Sequence, residues 1–192
     1  MTDETLLPPY IGIDARSIVV VNSPAEALIA SRELAAADVL GFDTESKPVF
    51  MKGQVSQGPH LIQLATQDKV FLFPIRRGEA YPALQAILES TSILKVGFGL
   101  GDDQQRLFAK LGITTQHVLD LARALRTDSR SDVGAKTAVA QFFGQKLQKS
   151  KKISTSNWAL LPLTDKQKQY AADDAHVALK IYRAWQAQRD PL

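Results

Sequence analysis

Two carboxylates stand two residues apart in the stretch LGFDTESKP, residues 40–48, at the end of the hydrophobic run 39–42. That run reads as a buried strand, and a strand's period of two puts Asp43 and Glu45 on one face. Neighbouring carboxylates at the end of a buried strand repel each other and resist loss of water. Such a pair calls for a compensating cation.

The same anomaly recurs twice. In YAADDAHVALKIY, projection at 100° per residue gathers Tyr170, Asp174, Val177, Ile181 and Trp185 within roughly 80° of one another. A phenol and a carboxylate therefore lie one turn apart on a core-facing stripe, with Asp173 nearer its edge and His176 pointing away. In KVGFGLGDDQQRLF, Asp103 shares a helix stripe with Leu107 and Leu111, whereas Asp102 points elsewhere and reads as the helix cap. A partly buried aspartate paired with Lys or Arg explains Asp174 singly, and ordinary capping at a helix start explains Asp102 or Asp103 singly. Four of them directed at one core, Asp43, Glu45, Asp103 and Asp174, require cationic side chains or divalent ions, at a cost of several kcal/mol each otherwise. The chain contains no cysteine, so a metal would sit on oxygen ligands, which favours Mg²⁺ or Mn²⁺. Two such ions about 3.5–4 Å apart suit phosphodiester cleavage.

The elements that must position these acids follow from pattern and punctuation. A strand is expected over 17–22 and a helix over 24–34, with Ser23 as N-cap and Pro24 at its first position. The strand 39–45 follows, then a Gly/Pro-containing loop over 46–60. A hairpin pairs 60–66 with 69–75 around Gln67 and Asp68. Beyond it come a helix over 81–90, a strand over 92–98, a helix over 102–112 ended by Gly112, and a short extended piece over 115–121. The remainder reads as helical, with a Lys/Ser/Thr-rich connector over 145–157 and a long helix over 165–189. Strands alternating with helices around a hairpin imply an α/β sandwich with a mixed sheet. With 192 residues, 45% hydrophobic and no evident linker, the chain reads as one domain.

With these residues assembled, the chain resembles the DEDD superfamily of 3′–5′ exonucleases, tyrosine subtype. Its likeness is nearest to the Werner-syndrome exonuclease domain and more distant to ribonuclease D. FDTE resembles the first motif, VGFGLGDDQQRL the second with Asp103 as its acid, and YAADDAHVALKIY the third, a Tyr-x-x-x-Asp. LIQLAT and SNWALLPLT resemble intervening segments, and the likeness covers about residues 35–185. The histidine subtype would carry its base one residue before Tyr170, where this chain has Gln169. One departure is Ser46, where relatives often carry an aromatic residue after the motif glutamate.

The resemblance implies a ribonuclease H-like, DnaQ-like exonuclease fold, a mixed sheet flanked by helices. It implies two divalent ions, Mg²⁺ or Mn²⁺, with Asp43, Glu45 and Asp174 holding one and Asp43 and Asp103 the other. Tyr170 would orient the attacking water. The implied activity is release of nucleoside 5′-monophosphates from DNA 3′ ends, single-stranded or recessed. RNA trimming in the manner of ribonuclease D is the alternative. A non-catalytic module with a decayed site would lack one of the five residues. A phosphatase with an aspartyl nucleophile wants Asp-x-Asp where this chain has Asp-Thr-Glu.

Candidate substrate contacts are Thr44, Lys149, Lys151 and Trp158. The lysines 146, 149, 151 and 152, like Arg76 and Arg77, form either a solvated surface or a phosphate contact. Trp158 either anchors the connector in the core or stacks on a base. Phe50, Met51 and Val55 could wedge against the substrate end, and His60 and His117 read as structural. A net charge of +3 is compatible with an anionic partner without demanding one. No apolar stretch is long enough to span a bilayer, and MTDETLLPPY lacks a signal peptide's basic end and apolar core. The reading is therefore an intracellular protein with no membrane partner, cytoplasmic if bacterial.

Overall fold

A computed structural model describes residues 7–49, 56–76, 81–127 and 131–189. Phe50, Met51, Val55 and Arg77 lie outside the described residues. The hairpin, the alternation and the long last helix are all present. The strands are β1 (Ile18–Val20), β2 (Val39–Glu45), β3 (Leu61–Ala65), β4 (Val70–Pro74), β5 (Leu94–Gly97) and β6 (Val118–Asp120). They form one mixed sheet in the order β1-β4-β3-β2-β5-β6. β2 runs antiparallel to β3 and parallel to β5, so the strand bearing FDTE lies inside the sheet with a neighbour on each side.

Alternation along β2 divides the core into two layers. Leu40 and Phe42 face the helices α1 (Pro24–Leu34), α2 (Pro82–Leu88) and α3 (Gly101–Leu111), packing with Leu34, Leu84 and Leu107. Val39 and its alternates face α4 (Leu121–Ala124), α5 (Ala135–Phe143) and α7 (Asp165–Arg189), while α6 (Lys151–Ser154) is a single turn inside the connector. Each fully buried Leu or Phe stabilises the fold by about 1.5–3 kcal/mol relative to exposure. Ser23 caps α1 by accepting from the Glu26 backbone N–H, and Gly112 ends α3 in the left-handed conformation at φ 68°. α3 departs from expectation at its start: Leu100 is its N-cap, and exposed Asp102 pairs with Arg106 at 3.5 Å instead of capping.

α7 crosses the sheet over β2, and one glycine permits the approach. A Cβ on Gly41 would lie 2.0 Å from the backbone oxygen of Ala175. The helix is also more deeply buried than a one-sided stripe predicts. Ala172, His176 and Leu179 are buried along with the stripe residues. His176 does not point away: its Nε2 meets the Gln67 backbone oxygen at 3.0 Å. The outer side of α7 is covered from elsewhere in the chain. The Ile13 backbone N–H donates to Asp173 Oδ1 at 3.0 Å, and α5 packs alongside. Sequence periodicity carries no record of such covering segments.

Candidate active site

The C-terminal ends of the parallel strands β2 and β5 lie side by side, and the three acid-bearing segments meet there. β2 ends on Asp43, Thr44 and Glu45. β5 leads through Gly97 and Gly99, the latter at φ 70°, into the first turn of α3 and so delivers Asp103. α7 brings Tyr170 and Asp174 over the same end from the opposite layer.

Asp43, Glu45 and Asp174 each offer a carboxylate oxygen, and these three oxygens all lie within 4.8 Å of one another. Asp103 joins from the other face of β2. The Thr44 hydroxyl donates to Asp103 Oδ1 at 2.6 Å, and Arg106 stands 3.9 Å from the same oxygen. Thr44, read as a candidate substrate contact, is thus buried with its hydroxyl engaged on Asp103. The side chains of β2 alternate, so Asp43 and Glu45 serve one layer while Thr44 reaches the acid of the other.

Electrostatics follow from the crowding. Burial, then the charges of Asp174 and Asp103, push Asp43 well above the ordinary carboxylate range. Burial and Asp43 raise Glu45 to about 9. Asp174 and Asp103 are raised chiefly by burial, Asp174 being partly relieved by Lys149. Lys149 Nζ lies 3.0 Å from Asp174 Oδ1 and 5.9 Å from the centre of the Tyr170 ring. Burial works against its charge, but Asp174, Asp43 and Glu45 outweigh burial and raise its pKa. Lys149 is therefore not simply a solvated loop residue; it is ion-paired within the acid cluster. Burial and then Asp174 and Glu45 push the Tyr170 phenol above its usual value, so it stays protonated at neutral pH.

The donor set fits a hard divalent cation: anionic oxygens, close together, with mutual repulsion that a cation relieves. Among the other candidates, Trp158 is 1% exposed, and its Nε1 donates to the Ser154 backbone oxygen at 3.1 Å. Its ring stands 6.1 Å from that of Tyr170, so it buttresses the tyrosine and is closed to base stacking. Lys151 is exposed in α6. Arg76 donates to the Asn22 backbone oxygen at 2.9 Å. His60 Nδ1 accepts from the Lys47 backbone N–H, consistent with a structural role. Ser46 is turned onto Gly58, where a Cβ would come within 1.9 Å of its Oγ, a contact suited to a small side chain.

The sequence reading missed the pairing of Lys149 with Asp174 and missed Gln63 altogether. Lys149 sits in a connector without periodicity, so nothing local marks it as facing inward. Gln63 interrupts the apolar run of β3, a signal that could have been noticed. Its partner across the sheet is Asp43, a pairing visible only once the register is known.

A six-stranded mixed sheet with helices on both faces and acids gathered at the end of an interior strand defines a ribonuclease H-like fold. The family described as 3′-5′ exonuclease matches residues 18–188, and the chain belongs to that family. Mouse bifunctional 3′-5′ exonuclease/ATP-dependent helicase WRN is 32% identical over 156 residues, covering 80% of this chain and 11% of that one. A 3′-5′ exonuclease of Arabidopsis thaliana is 25% identical over 174 residues, covering 89% of this chain and 59% of its own length. The chain thus spans under two thirds of either relative. The crystal structure of the Aedes aegypti Nibbler EXO domain superposes with a TM-score of 0.78 at 27% identity, covering 95% of this chain and 94% of that one. Escherichia coli RNase D shares the fold with a TM-score of 0.74 at 23% identity, covering 88% of this chain and 45% of its own.

Proposed function

We propose that the chain acts as a divalent-metal-dependent 3′–5′ exonuclease of the tyrosine subtype. In this reading residues 1–192 form one catalytic domain that releases nucleoside 5′-monophosphates from DNA 3′ ends. The convergence of Asp43, Glu45 and Asp174 oxygens within 4.8 Å, with Asp103 held alongside by Thr44, carries this reading. DNA as substrate rests on the resemblance of the motif segments to the Werner-syndrome exonuclease domain, and RNA is the alternative that a direct comparison of rates decides.

Asp43, Glu45 and Asp174 would hold one Mg²⁺ or Mn²⁺, and Asp43 and Asp103 a second. When bound, the pair supplies activation of a water and neutralisation of the departing oxygen. The chain's own groups do the rest. Tyr170, protonated and braced by Trp158, orients the attacking water by hydrogen bond and does not take its proton. Lys149 partly offsets, at Asp174, the burial that raises its carboxyl. Exposed Lys151 and the connector offer positive charge to the incoming backbone.

The test is incubation with DNA and RNA oligonucleotides of one sequence in Mn²⁺, Mg²⁺ or EDTA. Mononucleotide release that requires metal is expected, faster on DNA. Asp43→Asn is expected to abolish it while raising the melting temperature in EDTA, by about 2–4 °C per kcal/mol of repulsion relieved. Release of no mononucleotide from either polymer, or a fully active Asp43→Asn, refutes the proposal.

A further inference from the structure

Gln63 is 0% exposed in the middle of β3, and among the described residues neither its Nε2 nor its Oε1 has a hydrogen-bond partner. A buried carboxamide without partners costs a few kcal/mol, and folded proteins rarely tolerate one without a reason. Its surroundings make the cost sharper. On the same face of the sheet its strand neighbours are Leu61 and Ala65, and its partner on β4 is Leu72. All three belong to an apolar cluster with Trp158, Ala171 and Ala175. A leucine or methionine would fill that space at no polar cost. The remaining cross-strand partner is Asp43, directly opposite on β2. Side chains opposite one another in an antiparallel pair share a face, with Cβ atoms about 4.5–5.5 Å apart. The unpaired amide thus stands beside the one carboxylate that the proposed chemistry assigns to both ions.

We propose that Gln63 is a positioning residue for Asp43. Its Nε2 donates a hydrogen bond, directly or through one ordered water, to the Asp43 carboxylate, and so fixes which oxygens turn toward the cation. The role rests on the exonuclease reading above and extends it by one residue. Groups that orient a metal-holding carboxylate commonly change metal affinity by about 10–100-fold when removed. A residue retained for such a role also leaves a stability signature. Replacing it with an apolar side chain of similar volume removes an unmet polar demand, so the metal-free fold does not suffer.

The experiment uses the full chain and Gln63→Met, with Gln63→Leu standing in should the methionine variant fail to fold. Melting temperature in EDTA, calorimetric titration with Mn²⁺, and mononucleotide release are measured on each. The expected result is a melting temperature in EDTA equal to or above wild type, Mn²⁺ affinity about tenfold weaker, and slower release that recovers with more Mn²⁺. A variant with wild-type Mn²⁺ affinity and release overturns the role, whatever its melting temperature. A variant that melts lower in EDTA yet binds Mn²⁺ like wild type shows a packing residue and overturns it too. Wild-type protein that neither binds Mn²⁺ nor releases mononucleotides overturns the exonuclease reading itself. Wild type that does both while Gln63→Met matches it overturns only the part assigned to Gln63.

Discussion

Lys149→Met removes the cation that sits among the acids while keeping most of the apolar stem. Its Nζ lies 3.0 Å from Asp174 Oδ1, with side-chain exposures of 31% for the lysine and 7% for the aspartate. Deleting one partner of a fully buried pair costs about 3–5 kcal/mol. Solvent reaches Lys149, which lowers the expected loss to about 2–3 kcal/mol. For a chain of this size that corresponds to a fall of about 4–12 °C in melting temperature. The loss has a pH signature. Asp43, Glu45 and Asp174 all have folded-state pKa values above the ordinary range, Glu45 at about 9. The folded protein therefore holds protons that the unfolded chain has released. Its stability in EDTA falls as pH rises from the ordinary carboxylate range toward 9. Without Lys149 that decline steepens, so the variant's deficit is small at pH 5 and large at pH 8. Millimolar Mn²⁺ is expected to recover most of it by replacing the missing positive charge. Differential scanning fluorimetry across pH, in EDTA and in Mn²⁺, measures all of this. A deficit of equal size at both pH values and unaffected by Mn²⁺ would mean that Lys149 contributes packing alone, and the electrostatic account would fail.

Thr44→Val deletes the donor to Asp103 and leaves a buried carboxylate short of one hydrogen bond, at a cost of about 1–3 kcal/mol. Reduced metal-dependent release accompanied by a weaker Mn²⁺ response is the expected kinetic result, whereas unaltered rates would detach Thr44 from the site. Gly41→Ala forces a Cβ to 2.0 Å from the Ala175 backbone oxygen, so α7 must shift and carry Asp174 with it. A loss of about 1–3 kcal/mol with disproportionate loss of activity is expected from paired denaturation and rate measurements.

The local elements were legible because their cues are local. Ser23-Pro24 opens α1, Gly112 closes α3, and the apolar run before Asp43 is a strand whose period puts Asp43 and Glu45 on one face. The inward register of Asp103 and Asp174 followed from helical spacing with Leu107 and Val177. The motifs then pointed to the family that the comparisons bear out. Where the reading failed, the deciding partner was distant in the chain. Thr44 reads in the sequence only as a candidate substrate contact, and its hydrogen bond to Asp103 depends on α3 reaching it from the far face of β2. His176 is turned onto the Gln67 backbone oxygen, and Lys149 lies in an aperiodic connector that folds back over Asp174, whereas Trp158 anchors the connector in the core as the first of its two readings has it. Gln63 meets Asp43 only through the antiparallel register of β2 and β3.

The amino-acid order by itself determined which residues carry charge, which strand and helix faces they occupy, and hence that acids would point inward. Only the tertiary structure decided that three of them converge, that Lys149 pairs with Asp174 among them, and that Asp103 is held through Thr44. Periodicity specifies direction relative to a residue's own element, whereas the distance between two charges depends on how separate elements pack, and the electrostatics of the site depend on that distance.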